Sequence, residues 1–116
     1  MIRTMIIEDE IASQNLLKTI IEDYCPKLEL IGIASTVPES QLLIDKLKPE
    51  LVFLDINLKG RNAFELLEII KGRKFKIIFT TASQEYAMQA FKVEAIDYIL
   101  KPYNPKDIIR ATSRIK

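Results

Sequence analysis

Short apolar runs alternate with amphipathic segments along the whole chain. The apolar runs are rich in Ile, Leu, Val and Phe, which is typical of strands buried inside a sheet, and they cover residues 2–7, 28–34, 51–54, 76–80 and 95–100. In the segments between them apolar side chains recur every three or four residues, which predicts helices. These segments are residues 10–24, 62–71, 84–91 and 105–115. A further one begins with the capping pair Ser35-Thr36 and ends at residue 47.

The alternation of strand and helix predicts a doubly wound (βα)5 fold of the α/β class. Every connection is long enough to hold a crossover helix, and right-handed crossovers place helices on both faces of a parallel sheet. The run 51–54 has no polar position, as expected of a central strand that is covered on both faces. In such sheets ligands bind beyond the carboxyl ends of the strands. The residues that follow each strand are therefore the first candidates for a site.

Composition narrows the class of protein. The chain has 116 residues, 48% of them hydrophobic and 28% charged, which is enough for one domain with its own core. The net charge of +1 gives no general attraction to nucleic acid, and no apolar run approaches the ~20 residues of a membrane span. A single cysteine fits a reducing compartment, so we expect a cytoplasmic protein. Without histidine, the chain has no His-metal site, no Ser-His-Asp triad and no histidine base.

Polar residues follow four of the five predicted strands. They are Glu8-Asp9, Asp55, Thr81 and the Lys101-Pro102 pair. Each has a simple structural explanation, because acidic residues cap helices and Asp, Thr and Pro are common in turns. Parallel strands end at the same edge of a sheet, however, so all four groups are expected to lie close together. Their joint occurrence favours a functional site.

Three carboxylates at one sheet edge repel each other. At an effective dielectric constant near 20, each pair ~4 Å apart costs about 4 kcal/mol, so the cluster needs a proton, a cation or a metal. Oxygen ligands without His or Cys favour Mg²⁺ or Mn²⁺ over Zn²⁺. A lysine and a hydroxyl nearby complete a clamp for a phosphoryl group. The nucleophile is then a carboxylate, and Asp55, alone at the end of its apolar strand, is the candidate.

In these residues the chain resembles the receiver domains of bacterial two-component response regulators. The resemblance runs from residue 1 into the last helix, and the stretch IIFTTASQEYAMQAFKVEAIDYILKP is most similar to receivers attached to LytTR-type DNA-binding domains. It implies a flavodoxin-like receiver fold whose five parallel strands lie in the order 2-1-3-4-5. It also implies that residues 1–116 form the receiver domain and that an output domain, if there is one, lies beyond residue 116.

The resemblance implies a role for each residue of the cluster. Asp55 accepts a phosphoryl group from a sensor histidine kinase, Lys101 pairs with that group after a cis Lys101-Pro102 bond has aimed it into the pocket, and the Thr81 hydroxyl binds the group on arrival. Mg²⁺ is held by three carboxylates and one main-chain carbonyl, those of Glu8, Asp9, Asp55 and Asn57. Such a domain is not classed as an enzyme, since it catalyses only its own phosphoryl transfer and slow dephosphorylation.

Tyr98 and Thr81 are expected to form the switch. Phosphorylation draws the Thr81 hydroxyl inward and Tyr98 turns into the vacated space, although Tyr98 also fits a half-buried strand aromatic. We expect the phosphorylated form to dimerise through the fourth helix, fifth strand and fifth helix, and to reach DNA only through a domain outside this chain. The candidate contacts are Met88, Phe91, Lys92, Asp97 and Arg110.

Two positions depart from the receiver pattern. Lys59 stands where receivers usually carry Pro, and Ala63 stands where they usually carry Gly. The shape of the loop after the third strand is therefore open, with Gly60 offering the flexibility that the family usually obtains elsewhere.

Three other functions share parts of this pattern. A flavin or nucleotide binder on the same topology needs a Gly/Ser/Thr-rich phosphate loop after the first strand, where this chain has Glu8-Asp9-Glu10. An Asp-nucleophile phosphatase needs a second Asp two residues after the first, where this chain has Asn57. A receiver-like scaffold that is never phosphorylated generally lacks part of the acid–Asp–Thr–Lys set, which is complete here. Phosphorylation of Asp55 by acetyl phosphate with Mg²⁺ separates the receiver from all three.

Overall fold

A parallel sheet of five strands forms the centre of the molecule. The computed structural model describes residues 1–70 and 72–115. The strands are β1 (Ile2–Ile7), β2 (Leu28–Ala34), β3 (Leu51–Leu54), β4 (Lys76–Thr81) and β5 (Asp97–Leu100). They lie in the order β2-β1-β3-β4-β5 with every neighbouring pair parallel, which confirms the predicted order 2-1-3-4-5.

In the described residues four helices connect the strands and a fifth follows β5, as the sequence predicts. They are α1 (Ile11–Tyr24), α2 (Val37–Leu47), α3 (Ala63–Ile69), α4 (Ala87–Lys92) and α5 (Pro105–Thr112). At the start of α2 the Thr36 hydroxyl accepts a hydrogen bond from the Glu39 N–H at 3.2 Å, so Thr36 is the cap. In the described part of the chain no helix has the length and apolar character needed to cross a membrane.

Two elements begin later than the sequence predicts. The fourth helix is expected from residue 84 but starts at Ala87, because the Ala87 N–H closes a turn on the Gln84 carbonyl at 3.3 Å. The fifth strand is expected from Ala95 but starts at Asp97, because the Ala95 N–H bonds to the Ala90 carbonyl and ends the preceding helix. The main-chain N–H groups of Ala87 and Ala95 are thus bonded in turns, and the spacing of apolar residues along the sequence does not reveal such turns.

Two predicted helix ends also differ from the structure. The fifth helix is expected to run to residue 115 but ends at Thr112, after which the Arg114 N–H bonds back only three residues, to Ala111, in a tighter turn. The third helix is expected over 62–71 and is observed over Ala63–Ile69; its predicted last residue, Lys71, lies outside the described residues.

Two apolar layers cover the two faces of the sheet. Side chains alternate along a strand, so Ile7 and Leu54 lie in the layer beneath α2, α3 and α4, while their neighbours Ile6 and Phe53 lie in the layer beneath α1 and α5. All four residues of β3 are fully buried. The site at the end of β3 is therefore built on a strand that is covered on both faces.

A short antiparallel hairpin follows β3 and was not predicted. Asn57 pairs with Asn62 and Leu58 pairs with Arg61, leaving Lys59-Gly60 as a two-residue turn. Both turn residues have positive φ, 48° at Lys59 and 80° at Gly60, which is the backbone of a type I′ turn. This hairpin, hereafter the 57–62 hairpin, settles the loop shape that the departures at Lys59 and Ala63 left open.

Candidate functional site

Three carboxylates meet at the carboxyl edge of the sheet. Glu8 and Asp9 follow β1, and Asp55 follows β3, whose parallel pairing with β1 continues in a hydrogen bond of 2.9 Å from the Asp55 N–H to the Ile7 carbonyl. One oxygen from each carboxylate lies within 4.8 Å of the other two. Glu8 and Asp55 are buried, with 3% and 6% of their surface exposed, and Asp9 is half-buried. The sheet thus holds negative charge together where little water screens it.

Lys101 is the cation that faces this cluster. Its ammonium donates to Glu8 Oε1 at 2.5 Å and to Asp55 Oδ2 at 3.0 Å. The lysine follows β5 and reaches the site from a chain position 93 residues from Glu8. The peptide bond between Lys101 and Pro102 is cis, which confirms that prediction.

Burial and hydrogen bonding shift the pKa values of Glu8 and Lys101. Burial raises the pKa of Glu8 to about 7, although the hydrogen bonds from Lys101 and from the Glu10 N–H oppose that shift. Burial by itself lowers the pKa of Lys101, but its hydrogen bonds to Glu8 and Asp55 outweigh this effect and the pKa is raised. The lysine therefore stays charged, and the three carboxylates share one positive charge.

The chemistry of these donors fits a hard divalent cation. Carboxylate oxygens from three chain positions converge, in the described residues, with a single ammonium group between two of them. Mg²⁺ accepts one or two carboxylates and keeps several waters, so partial exposure at Asp9 suits it. Asn57, whose carbonyl was the fourth predicted ligand, is exposed on the hairpin beside the cluster, and its N–H donates to Asp55 Oδ1 at 3.4 Å.

Thr81 lies at the end of β4 and pairs with Leu100 at the end of β5, the residue before Lys101. Its side chain is fully buried, and its hydroxyl accepts a hydrogen bond from the Ser83 N–H at 3.4 Å. The Lys101 N–H donates to the Thr81 carbonyl at 2.8 Å, which extends the β4–β5 pairing to the edge of the site. Ala82, the next residue in the chain, has a small and exposed side chain.

Tyr98 on β5 is held against the loop that follows β4. Its ring is half-buried and packs on Phe79 with centroids 6.2 Å apart, and its hydroxyl donates to the Ser83 carbonyl. Burial raises the pKa of this phenol. Ser83 therefore touches both Thr81 and Tyr98 through its main chain. Sequence reasoning missed it, because main-chain contacts leave no signal in residue type.

Gln14 on α1 was also missed. Its amide donates to the Glu8 carbonyl at 2.6 Å and to the Ser35 hydroxyl at 3.0 Å, and so fixes the backbone where β1 ends. On the helix its position alone reads as an ordinary polar surface residue.

Comparison with known proteins gives the class to which this arrangement belongs. A profile described as "Response regulator receiver domain" matches residues 4–113. The crystal structure of the response regulatory domain of protein mrkE from Klebsiella pneumoniae superposes with a TM-score of 0.87 at 32% identity, covering 97% of this chain and 93% of that one. The chain belongs to the response regulator receiver domain family and is a component of two-component signalling.

Relatives with individual names are described as sensory transduction or transcriptional regulatory proteins. Sensory transduction protein LytT of Bacillus anthracis is 38% identical over 118 residues, which is all of this chain and 48% of that protein. Transcriptional regulatory protein LytR of Staphylococcus aureus is 37% identical over 98% of this chain and 47% of its own length. The chain therefore spans about half the length of the relatives that it matches.

Proposed function

We propose that Asp55 is the phospho-acceptor of this receiver domain and that Mg²⁺ is the cofactor for its phosphorylation. The observation that carries the proposal is the convergence of Glu8, Asp9 and Asp55, whose carboxylate oxygens lie within 4.8 Å of one another, with the Lys101 ammonium bonded to Glu8 and Asp55. The partner is a sensor histidine kinase. The location that goes with this relay is the cytoplasm, as composition predicts.

Asp55 is the nucleophile in the proposed phosphoryl transfer. A carboxylate oxygen of Asp55 attacks the phosphorus of a phosphohistidine on the kinase, the P–N bond breaks, and its electron pair leaves with the imidazole nitrogen. Glu8, Asp9, Asp55 and the Asn57 carbonyl would hold Mg²⁺, which would supply charge stabilisation for the phosphoryl oxygens. Because Asp55 itself becomes phosphorylated, the domain is the acceptor in this transfer reaction, and its role is to regulate an output.

Lys101 and Thr81 receive the phosphoryl oxygens. The ammonium that now lies 3.0 Å from Asp55 Oδ2 is close enough to pair with an oxygen on a group attached there. Among the described residues the Thr81 hydroxyl has a single hydrogen bond to lose when it turns toward that group, the long one of 3.4 Å from the Ser83 N–H. Moving Thr81 also moves the loop whose carbonyl holds Tyr98, and this is the step by which the state of Asp55 reaches the surface.

Acetyl phosphate tests the phosphorylation site directly. With Mg²⁺ the wild-type domain is expected to gain one base-labile phosphoryl group, located by mass spectrometry on the peptide that contains Asp55, because a carboxylate held beside a cation attacks an activated phosphate. Asp55→Asn should gain none. Asp23→Asn, which removes an exposed carboxylate far from the site, should behave as the wild type. Modification of Asp55→Asn to the same extent would place the acceptor elsewhere.

The output surface is proposed to be a homodimer interface on α4, β5 and α5. Met88 and Phe91 on α4 are 71% and 80% exposed, an unusual exposure for two large apolar side chains on one short helix. Beside them Asp97 lies 3.6 Å from Arg114 and 4.0 Å from Arg110, within its own chain. An apolar patch with charged residues at its rim is the usual composition of an interface core and its border.

Dimerisation is expected when the phosphoryl group is mimicked. Beryllofluoride with Mg²⁺ should shift the domain from monomer to two-fold dimer in sedimentation experiments at tens of micromolar. Phe91→Ser should weaken that dimer by about tenfold or more, as the loss of an aromatic anchor does. Leu42→Ser, on the 67% exposed Leu42 of α2, is the control and should dimerise normally. A monomer both with and without the mimic would contradict this surface.

The regulated process is proposed to be transcription. Relatives that this chain half covers carry names such as transcriptional regulatory protein and sensory transduction protein. DNA contact belongs, in this proposal, to a domain outside the chain, since the net charge of +1 provides no electrostatic basis for it here.

A further inference from the structure

The 57–62 hairpin touches two of the three carboxylates through its main chain. The Asn57 N–H donates to Asp55 Oδ1 at 3.4 Å, and the Lys59 N–H donates to Asp9 Oδ2 at 3.2 Å. Two amides that are two positions apart in an extended segment point to the same side. One short segment therefore binds carboxylates that stand 46 residues apart in the chain.

The second of these hydrogen bonds depends on the turn. Lys59 has φ 48° and Gly60 has φ 80°, the two left-handed conformations of a type I′ turn, and this turn closes the hairpin that presents the Lys59 N–H to Asp9. Proline, the residue that receivers usually carry at this position, has no N–H and is fixed near φ −65°. The lysine is thus not a neutral replacement in this chain.

The hairpin is anchored firmly enough to act on the carboxylates. Leu58, between the two donors, is 1% exposed and belongs to the core layer beneath α3. The hairpin is closed at its base by a hydrogen bond of 2.7 Å from the Ala63 N–H to the Ile56 carbonyl. Asn62 then caps α3 by accepting from the Phe64 N–H at 2.8 Å. Both ends of the segment are therefore fixed to the fold.

We propose that the Lys59-Gly60 turn is a positioning element for the divalent cation: its left-handed backbone holds Asp9 through the Lys59 N–H while Asn57 holds Asp55. The hairpin in this way sets the separation and orientation of two ligands before the ion arrives. In the described residues Asp9 keeps its Oδ1 for the ion, while Asp55 Oδ2 already accepts from Lys101 at 3.0 Å and offers the ion its remaining lone pair. This inference rests on the proposed Mg²⁺ site, and it assigns to the main chain of Lys59 a task that its side chain does not share.

A matched pair of variants separates the main chain of Lys59 from its charge. Lys59→Pro removes the N–H and cannot adopt the turn, whereas Lys59→Asn keeps the N–H and favours the left-handed backbone; both lose the same positive charge. Mg²⁺ affinity, measured by calorimetry or by amide chemical shifts, is expected to fall about tenfold or more in Lys59→Pro, the usual effect of losing a group that orients a metal ligand. In Lys59→Asn it should stay within about twofold of the wild type.

A second variant tests the turn without touching the donor. Gly60→Ala places a side chain in open space but at φ 80°, so only the backbone conformation is penalised. It is expected to weaken Mg²⁺ binding less than Lys59→Pro does. Thermal unfolding without metal, run on every variant, measures what the altered turn costs in stability and so keeps a folding defect apart from a ligand-positioning defect.

The outcomes are distinguishable. Equal Mg²⁺ affinity in Lys59→Pro and wild type overturns the positioning role, and so does an equally large loss in Lys59→Asn, which would implicate the side-chain charge. Failure of the wild-type domain to bind Mg²⁺ at all removes the proposed cation site itself. A loss confined to Lys59→Pro and, more weakly, Gly60→Ala supports the proposal.

Discussion

Replacing Asp9 with Asn is expected to abolish Mg²⁺ binding and phosphorylation while making the folded protein more stable. Asn keeps the size of Asp and an oxygen that accepts from the Lys59 N–H, but it removes one of three negative charges that share one lysine. At about 5 Å the repulsion removed is of the order of 1 kcal/mol once the partial exposure of Asp9 is allowed for. Without metal, then, the free energy of unfolding should rise by roughly that amount.

Stability is expected to rise while Mg²⁺ binding and phosphorylation are lost, so the loss of function can be distinguished from a folding defect. Denaturant unfolding in EDTA measures stability, and a Mg²⁺ titration followed by incubation with acetyl phosphate measures binding and transfer. A folding defect would lower all three quantities together. Asp23→Asn serves again as the charge-matched control, with no expected change in Mg²⁺ binding. Normal phosphorylation of Asp9→Asn would contradict the role of Asp9 in holding the ion.

Replacing Lys101 with Met should have the reverse effect on stability. Met has a similar length without charge, so Glu8 and Asp55, both almost fully buried, lose the ammonium that bonds to them at 2.5 and 3.0 Å. Breaking a buried pair by removing one partner costs about 3 kcal/mol or more, a large share of the 5–15 kcal/mol that stabilises a typical domain. Phosphorylation should also be severely slowed, since the group that pairs with the phosphoryl oxygens is gone.

A double variant identifies the cause of that loss. At pH 8 the wild-type Glu8, whose pKa is about 7, is mostly ionised; removing Lys101, whose hydrogen bond lowers that pKa, raises it further, so part of the lost stability is expected to appear as proton uptake by Glu8. Lys101→Met combined with Asp55→Asn should be less unstable than the sum of the single changes, because the second change removes a charge left unpaired by the first. Mg²⁺ should restore part of the stability of Lys101→Met. Strictly additive effects, with no rescue by Mg²⁺, would contradict the electrostatic account.

Most of the fold could be predicted because the apolar pattern follows the sheet closely. β3 is buried on both faces and its sequence has no polar position, while helices such as α2 carry their caps in plain residue types. The predicted element boundaries were wrong where main-chain hydrogen bonds in turns determine the start of a helix or strand. Ala95, for example, bonds to the end of α4 instead of joining β5, and its side chain gives no sign of that choice.

The polar edge of the sheet was predictable for a different reason. Parallel strands bring their carboxyl ends together whatever their sequences, so Glu8, Asp9, Asp55 and Lys101 had to meet once the strands were placed. The hairpin was not predictable in the same way. A Lys-Gly turn is weaker evidence than Asn-Gly, because Lys reaches the left-handed region at a cost that the surrounding contacts must offset.

The distance along the chain between Glu8 and Lys101 has a consequence for folding. The two residues that share the shortest ion pair of the site are 93 positions apart, near opposite ends of the described sequence. Contacts of such high sequence separation form late, because the loop between them must be closed first. A nascent or partly unfolded chain that has not yet placed β5 beside β4 holds its acidic residues without their lysine. Phosphorylation at this site is therefore expected to require the complete sheet, and a chain that has not yet placed β5 is expected to transmit no signal.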